Sequence, residues 1–361
     1  MNKREFLRIL GLGTLGLTSG SLFLNRCTKR KAPVKNWAWI TAHRYSSPDE
    51  WKRIFEKMKK HGIDAALVLA GKETIETILP IGKQTGMEMH NWIITLECRD
   101  EEIITNHPDW FTVNRDGDSS LEKPPYIPSY KWLCPSRKEV QEYVQSIVSE
   151  LADIDDLKGI HLDYVRHPDV ILPIGIQPKY NLVQDKEYPE FDFCYCPVCR
   201  ELFKEKEGID PLELEDPPTS AAWGQFRYDS ITNLVNQLSV VAHQKNKMLT
   251  AAVFPSPAIA RKLVHQDWPR WHLDAVLPMM YHKYYNEDVE WIEKVTREGV
   301  ESLSSNTKLY SGLHVSMLTP AELAKATEFA FEGGAKGIVL FTGTAMTDEH
   351  WESLDSVLQN T

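Results

Sequence analysis

The chain of 361 residues has no surplus of positive charge. Lys and Arg number 41 against 51 Asp and Glu, which gives a formal net charge of -10 at pH 7. Proteins bind a nucleic-acid backbone through a basic surface, so this balance argues against nucleic acid as a partner. The remaining composition, with 42% hydrophobic and 25% charged residues, is that of a globular protein able to bury a sizeable core.

Several motifs of catalysis or cofactor binding are missing as well. No His-Glu-x-x-His sequence occurs and no His-x-His follows the first predicted strand, so a metal-dependent hydrolase or deacetylase ranks last among the candidate functions. The segment Thr41-Ala-His-Arg44 after that strand is not a phosphate loop. Residues 11–16 match the dinucleotide fingerprint by letter, but no strand precedes them. We therefore expect no organic cofactor.

Cysteine is scarce, with six in the chain, and three of them lie in the stretch Cys194-Tyr-Cys196-Pro-Val-Cys199. Thiolates at this spacing suit tetrahedral zinc and leave little room for disulfides among themselves. The fourth ligand would be Cys134, with Cys98 as the other candidate. This pattern favours a closed structural zinc site that pins two long loops. The alternative is that export oxidises these residues to disulfides, for example Cys98 with Cys134.

Residues 1–27 have the pattern of an export signal rather than of a folded element. Lys3-Arg4-Glu5-Phe6-Leu7 and the Gly/Leu-rich stretch after it resemble a twin-arginine signal with Lys in place of the first Arg. We expect export to the periplasm or the cell surface. Cys27 is a candidate lipid anchor to a membrane, although Arg26 stands where a lipobox has a small residue. Residues 28–36 are basic and indicate a short tether.

From residue 37 onward, short apolar runs alternate with amphipathic helical stretches, a pattern typical of a parallel sheet covered by helices. Eight strands close a barrel, so we predict a single (β/α)8 TIM barrel over residues 37–361 in preference to an open doubly wound sheet. The eight runs cover residues 37–42, 64–70, 89–96, 158–163, 248–254, 274–281, 308–314 and 337–342. The helical stretches cover residues 48–61, 73–85, 137–153, 221–245, 287–300, 320–332 and 347–358.

Two long Pro-rich segments interrupt this alternation, at 97–136 after the third strand and at 164–220 after the fourth. Together they hold five of the six cysteines. Long loops in a compact domain usually carry function, and the loops that follow barrel strands rise from the face where active sites lie. We therefore expect the site to lie beneath these two loop insertions.

Polar and aromatic residues stand at the carboxyl ends of the predicted strands, where they would surround one bowl. Trp92 and Tyr281 are expected to stack on a sugar ring, and the histidines to bind hydroxyl groups or to tune a carboxyl pKa. A single histidine near a strand end is, however, more often a hydrogen-bonded structural group. The predicted substrate-binding residues are His43, Arg44, Trp92, His161, Tyr164, Arg166, Tyr281, His282 and His314.

Three carboxylates are candidates for catalysis. Asp163 is the first choice, because a carboxylate in the inner wall of a barrel is costly unless it is paired or belongs to a site. Arg166 is the candidate salt-bridge partner that would make Asp163 structural instead. Glu97 or Asp267 would be the second carboxylate, although Asp267 is also placed to cap a short helix. Glycoside hydrolysis uses two such groups, about 5–5.5 Å apart for retention and about 6.5–9.5 Å apart for inversion.

Several of these motifs resemble the glycosyl-hydrolase-like family ten, a group of bacterial TIM-barrel proteins. The resemblance covers most of residues 37–345 and implies a carbohydrate-active barrel in which Asp163 matches the family's acidic residue on strand four. The matching segments are Gly86-x-x-x-His90-x-Trp92, His107-Pro-Asp-Trp110, Gly159-Ile-His-Leu-Asp-Tyr-x-Arg-x-Pro168, Asp267-Trp268, Pro278-Met-Met-Tyr281 and Gly312-Leu313.

The cysteine-rich stretch is similar to the zinc cluster of family 42 β-galactosidases. Those enzymes carry a Glu acid on strand four and a Glu nucleophile on strand seven, whereas this chain has Asp163 and His314 at those places. The usual retaining pair is therefore absent, and the similarity implies a zinc site without implying a mechanism.

These observations favour an exported glycoside hydrolase that cleaves a poly- or oligosaccharide, with acid/base catalysis centred on Asp163. The alternative is a non-catalytic glycan-binding barrel, because the acidic pair is incomplete.

Overall fold

The computed structural model describes residues 34–44, 47–341 and 346–359. The predicted export segment, Cys27 and most of the predicted tether lie outside the described residues. Asn36, which we expected at the end of the tether, is instead the first residue of strand β1. Its side-chain amide donates to the carbonyl of Gly62 at 3.1 Å and its amide oxygen accepts the N–H of Ile338 at 3.1 Å. Within the described ranges, no helix is long and apolar enough to cross a membrane.

Within the described residues, nine parallel strands form a nearly closed barrel. Their order around the wall is β7-β6-β5-β4-β3-β2-β1-β9-β8, and a parallel bridge joins Met279, directly after β6, to Gly312 of β8. The predicted seventh strand is divided into two pieces, β7 and β8, which flank Tyr310. The strands are β1 (Asn36–Thr41), β2 (Ile63–Leu69), β3 (Glu88–Ile94), β4 (Gly159–Asp163), β5 (Met248–Val253), β6 (Ala275–Pro278), β7 (Lys308–Leu309), β8 (Ser311–His314) and β9 (Ile338–Phe341).

Ten α-helices are present in the described part of the chain, against seven predicted. The additional three are short and lie in segments that we expected to be irregular, but each has a local start signal. Asp100 caps α3, Ser256 caps α7, and Pro197 occupies the first turn of α5. The helices are α1 (Pro48–Lys60), α2 (Lys72–Thr85), α3 (Glu101–Asn106), α4 (Lys138–Ala152), α5 (Pro197–Glu207), α6 (Ala221–Gln244), α7 (Pro257–Val264), α8 (Trp291–Ser302), α9 (Pro320–Glu332) and α10 (Asp348–Leu358).

Large rings and small residues fill the inside of the barrel together. Successive residues of a strand face opposite sides, so Trp37 and Trp39 point inward from β1 while Ala38 and Ile40 pack against the helices. Small residues on other strands leave room for these indoles. At Gly312, for instance, a Cβ atom would lie 2.8 Å from the ring of Trp39. The upper indole, that of Trp39, forms part of the floor of the site described below.

The two segments that follow β3 and β4 lie against each other above the carboxyl ends of the strands. Antiparallel bridges join Glu97 to Trp132 and Phe111 to Leu133 within the first segment. A further bridge joins Asn114 to Phe193 of the second segment. Backbone pairing therefore ties both segments into one cover around the mouth of the barrel.

Candidate active site and cysteine cluster

A cavity of about 690 Å³ lies at the carboxyl ends of the strands, beneath the two long segments. This volume is within the range of about 300–1,000 Å³ that is typical of small-ligand sites. Six of the residues predicted for the site line the cavity: Trp92, Glu97, Asp163, Tyr164, Arg166 and Tyr281.

Aromatic side chains make up much of the cavity wall. Trp39 and Phe341 join Trp92 at the floor, and a set of tyrosines forms the sides. Flat apolar rings with polar edges suit the faces and hydroxyl groups of sugars. The tyrosines are Tyr126, Tyr130, Tyr143, Tyr164, Tyr180, Tyr281, Tyr284 and Tyr285.

Asp163 ends strand β4 and is partly buried at the base of the cavity. Its Oδ1 accepts the backbone N–H of Tyr164 at 2.7 Å, and its Oδ2 accepts the indole N–H of Trp92 at 3.1 Å. Burial raises the pKa of Asp163 to about 6, although both hydrogen bonds and the charge of Arg166 oppose this shift. The carboxyl group can therefore hold or release a proton near neutral pH, as an acid catalyst must.

Arg166 does not neutralise Asp163 by an ion pair, contrary to the structural alternative raised by the sequence. Its Nη1 lies 2.9 Å from Oδ2 of Asp169, and its Nη2 donates to the Tyr130 hydroxyl at 2.8 Å. The Tyr130 hydroxyl in turn donates to Asp169. Because this buried network already satisfies the guanidinium, Asp163 keeps an unpaired carboxylate facing the cavity.

Tyr164 adopts a left-handed backbone conformation, with φ of 52°. This conformation is uncommon for a residue with a large side chain, and such strain tends to be retained at functional sites. At this position it turns the N–H of Tyr164 onto the carboxylate of the preceding Asp163. The strained turn thus helps to orient the carboxylate of Asp163.

Glu97, which the sequence proposed as a second carboxylate, also lies in the cavity wall. It is buried, and its Oε1 accepts from Nε of the exposed Arg99 at 2.7 Å. Burial raises the pKa of Glu97, against the opposing effect of Arg99. Glu97 and Asp163 also influence each other, because the charge of Glu97 raises the pKa of Asp163.

His161 is not a substrate-facing residue, although it precedes Asp163 by two positions. It is fully buried in the barrel interior, where its Nε2 accepts the indole N–H of Trp39 at 2.8 Å. An indole can only donate, so the proton of the neutral imidazole sits on Nδ1, which lies 2.9 Å from the hydroxyl of Thr250. His161 therefore supports the cavity floor from below.

Four other predicted residues lie outside the cavity lining, and the side chain of Arg44 is outside the described part of the structure. His43 is exposed in the turn after β1. His282 is buried, whereas His314 packs edge-on against Tyr281 with ring centroids 5.0 Å apart.

Asp267 pairs with Arg261 at 2.6 Å and with a second arginine, Arg270, at 3.6 Å. Its carboxylate serves the segment between α7 and β6, so it is not the partner of Asp163.

Sequence reasoning missed several residues of the cavity wall. Asp169 lies three positions after Arg166, a spacing that marks a local ion pair, but the arginine had been assigned to Asp163. Tyr126 and Tyr130 lie in a Pro-rich stretch without any periodicity. Tyr126 donates its hydroxyl to the carbonyl of Asp169 at 2.7 Å and accepts from Gln184 at 3.0 Å. Only the fold reveals that this tyrosine links the two long segments.

Away from the cavity, four buried cysteines converge. Cys134 Sγ lies 3.4 Å from Sγ of both Cys196 and Cys199, and Cys194 Sγ lies 2.9 Å from Cys199 Sγ. Thiolates around a tetrahedral zinc ion lie about 3.8 Å apart, so a slight outward shift of the sulfur atoms would admit the ion. All five cysteines of the described residues are free, and the fifth, Cys98, lines the cavity instead. Cys134, Cys196 and Cys199, whose Sγ atoms all lie within 4.8 Å of one another, could therefore bind a metal, and Cys134 rather than Cys98 joins the later cysteines.

A second group of potential ligands is better explained as an ion-pair network. Glu187, Asp192 and His265 place ligand atoms within 4.8 Å of one another. However, Nη1 of Arg227 lies 2.6 Å from Asp192 and 3.5 Å from Glu187, and Nε of Arg115 lies 3.5 Å from Asp192. Two guanidinium groups already balance the two carboxylates, so a buried divalent cation would add uncompensated charge. Neither this group nor the cysteine cluster contributes a residue to the cavity lining.

The barrel resembles solved structures of glycoside hydrolases, all with low sequence identity. The glycoside hydrolase domain of PgaB (BpsB) from Bordetella bronchiseptica has a TM-score of 0.60 and 12% identity, over 90% of this chain and 99% of that one. The catalytic domain of β-amylase from Paenibacillus polymyxa has a TM-score of 0.62 and 11% identity, over 90% and 98%. A class V chitinase from Pseudomonas fluorescens Pf-5 has a TM-score of 0.54 and 11% identity, over 90% and 100%. These similarities support the TIM-barrel fold alone.

Sequence comparison is more specific. A search of curated proteins finds no match to this chain. The family described as glycosyl hydrolase-like 10 matches residues 51–328, which include β2 to β8, Asp163 and the cysteine cluster. This match confirms the resemblance inferred from the strand-end motifs. The chain therefore belongs to the glycosyl hydrolase-like 10 family.

Proposed function

We propose that this protein is a glycoside hydrolase that cleaves a poly- or oligosaccharide in the cavity, with Asp163 as its acid catalyst. The observation that carries the proposal is Asp163 itself, a partly buried carboxyl group with a pKa near 6 in an aromatic-walled cavity. An acid with this pKa is protonated in mildly acidic solution and remains a good proton donor. The glycoside hydrolase neighbours, which include a chitinase and a β-amylase, support a carbohydrate substrate.

In the proposed reaction the sugar ring stacks on Trp92 and Tyr281, and Asp163 protonates the oxygen of the leaving group. The indole N–H of Trp92 and the N–H of Tyr164 then stabilise the carboxylate that remains. Glu97 acts as the second carboxylate and either activates water or attacks the anomeric carbon. Both of these roles require ionised Glu97; the ion pair with Arg99 favours that form, whereas burial opposes it and raises the pKa of Glu97.

A non-catalytic glycan-binding barrel is the second candidate, and one observation favours it. Arginines hold two of the acidic groups that line the cavity, since Arg99 pairs with Glu97 and Arg166 pairs with Asp169. A carboxylate that is tied to a guanidinium is a poorer nucleophile or base than a free one. If both groups stay paired when sugar binds, the cavity would hold a glycan without cleaving it.

Turnover and affinity measured together separate the two candidates. The full-length protein and D163N would be assayed against chitin and starch oligosaccharides, with product analysis and calorimetric binding. For a hydrolase we expect D163N to lose at least about 100-fold in kcat while its affinity for the sugar changes little. Wild-type protein that binds an oligosaccharide but releases no shorter product would support the binding protein instead.

We further propose that Cys134, Cys194, Cys196 and Cys199 hold a structural zinc ion. Burial raises the pKa of the Cys194 and Cys199 thiols, and a zinc ion would stabilise their thiolates. Four sulfur ligands leave no open position for a substrate, so the ion would stabilise the cover over the barrel and take no part in the reaction.

A further inference from the structure

The segment from residue 130 to residue 134 connects the cysteine cluster to the cavity. Tyr130 and Leu133 line the cavity, whereas the Sγ atom of Cys134 belongs to the cysteine cluster. The backbone is held in place on the way, since the N–H of Leu133 donates to the carbonyl of Leu96 at 2.9 Å. A shift of Cys134 would therefore also displace Leu133 and Tyr130, which belong to the same short segment and line the cavity.

Trp132 lies at the centre of this segment and is fully buried. Its ring lies under the guanidinium carbon of Arg166 at 4.9 Å. The same ring packs against Tyr164 at 5.8 Å and meets Tyr130 nearly at right angles at 5.0 Å. Each of these three neighbours lines the cavity, and the N–H of Tyr164 holds the carboxylate of Asp163.

We propose that Trp132 is a positioning residue through which the cysteine cluster sets the geometry of the Asp163–Asp169 turn. The inference rests on the proposed function, since it treats that turn as part of the catalytic wall. The indole supports the buried charge of Arg166 from one side, while Asp169 and Tyr130 hold the guanidinium in its plane. The backbone of Trp132 is bonded to Ser120 and Thr112, and Cys134, two positions later, belongs to the cysteine cluster.

Trp223 offers a matched control on the far side of the cluster. Trp223 is also fully buried and lies near an arginine, with the guanidinium carbon of Arg227 5.4 Å from its ring. Its indole N–H donates to the hydroxyl of Tyr195 at 3.0 Å. It packs with the cysteines in one apolar cluster but does not line the cavity. Replacing either tryptophan by leucine removes a fully buried indole, but only W132L removes a ring that faces the guanidinium of Arg166.

The test is hydrogen exchange of the full-length protein, read by mass spectrometry in peptides that cover residues 163–169. We expect W132L to speed exchange there about tenfold, W132F to restore most of the protection, and W223L to leave this peptide near the wild-type rate. W132L should still retain bound zinc. Equal acceleration in W132L and W223L would overturn the proposal, as would an unchanged rate in W132L.

A second variant examines the cluster end of the same connection. C134S removes one thiol, and we expect faster exchange both in residues 130–134 and in residues 163–169. Faster exchange in the first peptide alone would overturn the proposal.

Zinc content is measured in parallel, so the proposed zinc site and the proposed role of Trp132 can fail separately. A metal-free wild-type protein would refute the zinc site, whereas unchanged exchange in a zinc-loaded W132L would refute only the role of Trp132. Glycan turnover of the wild type tests the hydrolase independently.

Discussion

At the scale of single residues, Asp163 differs from Glu97 and Asp169, two other acidic groups of the cavity wall, in what faces it. Glu97 and Asp169 each meet a guanidinium, while Asp163 receives two N–H groups and no ion pair among the described residues. Burial therefore determines the direction of its pKa shift. Burial makes Asp163 a useful acid by raising its pKa, but it also makes the ionised carboxylate unfavourable in the folded protein.

This cost leads to a stability prediction for D163N. A pKa of about 6 in the folded protein lies above the usual value of 3.8, so the folded state binds the proton more tightly than the unfolded state. The wild type therefore loses stability as the pH rises from about 4 to about 6. We expect D163N to be more stable than wild type by up to about 3 kcal/mol above pH 6, and by nearly nothing below pH 4. Urea titrations across this pH range measure the difference.

D169N is the matched control for D163N, because both variants replace an aspartate of the cavity wall by its isostere. Asp169 is paired with Arg166 and accepts the hydroxyl of Tyr130. Its loss leaves a buried guanidinium without its partner, so we expect destabilisation of about 3 kcal/mol at neutral pH. If D163N were also destabilised at pH 7, the carboxylate would be structurally paired and our interpretation of Asp163 would be wrong.

A second prediction at this scale concerns His161. H161F keeps a ring of similar size but leaves the indole N–H of Trp39 and the hydroxyl of Thr250 without their partner. We expect a loss of about 1–3 kcal/mol in the free energy of unfolding, because a buried donor is left unsatisfied. Thermal and urea unfolding would measure this loss, and tryptophan fluorescence would report the change around Trp39. H161F as stable as wild type would contradict the supporting role.

At the scale of elements, the cysteine cluster joins parts of the chain that are distant in sequence. Cys196 immediately precedes the first turn of α5, and Cys134 lies just before α4. Trp223 of α6 packs against the same cluster. A zinc ion held by these cysteines would therefore join α5 to the first long segment, next to α4 and α6. Without it, the cluster would be a small apolar core of thiols.

Metal removal tests this linkage. We expect the purified protein to carry about one zinc ion per chain, and C199S to lose it with a drop in melting temperature of at least about 5 °C. C98S serves as the thiol control, since Cys98 lies outside the cluster and should leave the zinc content unchanged. Elemental analysis and thermal unfolding provide the measurements. A C199S protein with full zinc content would exclude the cluster as the metal site.

At the scale of the whole molecule, closure of the barrel depends on a close approach beside Gly312. The bridge from Met279, directly after β6, to Gly312 of β8 closes the wall of the barrel. A Cβ atom at Gly312 would lie 2.8 Å from both the carbonyl oxygen of Pro278 and the ring of Trp39. Either the strand or the floor of the cavity would have to move to admit it.

We therefore expect G312A to destabilise the protein by about 1–3 kcal/mol, the usual cost of overfilling a packed interior. G71A is the control, because a Cβ atom at Gly71 would meet nothing within 4 Å. Urea unfolding of both variants gives the comparison. An unchanged G312A would indicate that the strand ends have more freedom than this close approach implies.

The barrel could be predicted from the sequence because its signal is local and repeated. Runs such as residues 64–70 are apolar on both faces, and amphipathic stretches separate them, as expected for strands covered by helices. Shorter elements were missed where local and tertiary signals compete. No helix was predicted between the strands at 248–254 and 274–281, where the eight-residue helix α7 lies, and the predicted seventh strand is divided at Tyr310.

The sequence alone determined the alternation of strands and helices, the place of Asp163 at a strand end and the family to which the chain belongs, because each depends on residues near one another in the chain. Only the tertiary structure decided which charges meet. It paired Arg166 with Asp169, placed His161 under Trp39, removed Asp267 from the site and brought Cys134 to the three later cysteines. The physical reason is that ion pairing and burial depend on distances in space, which spacing along the chain does not specify.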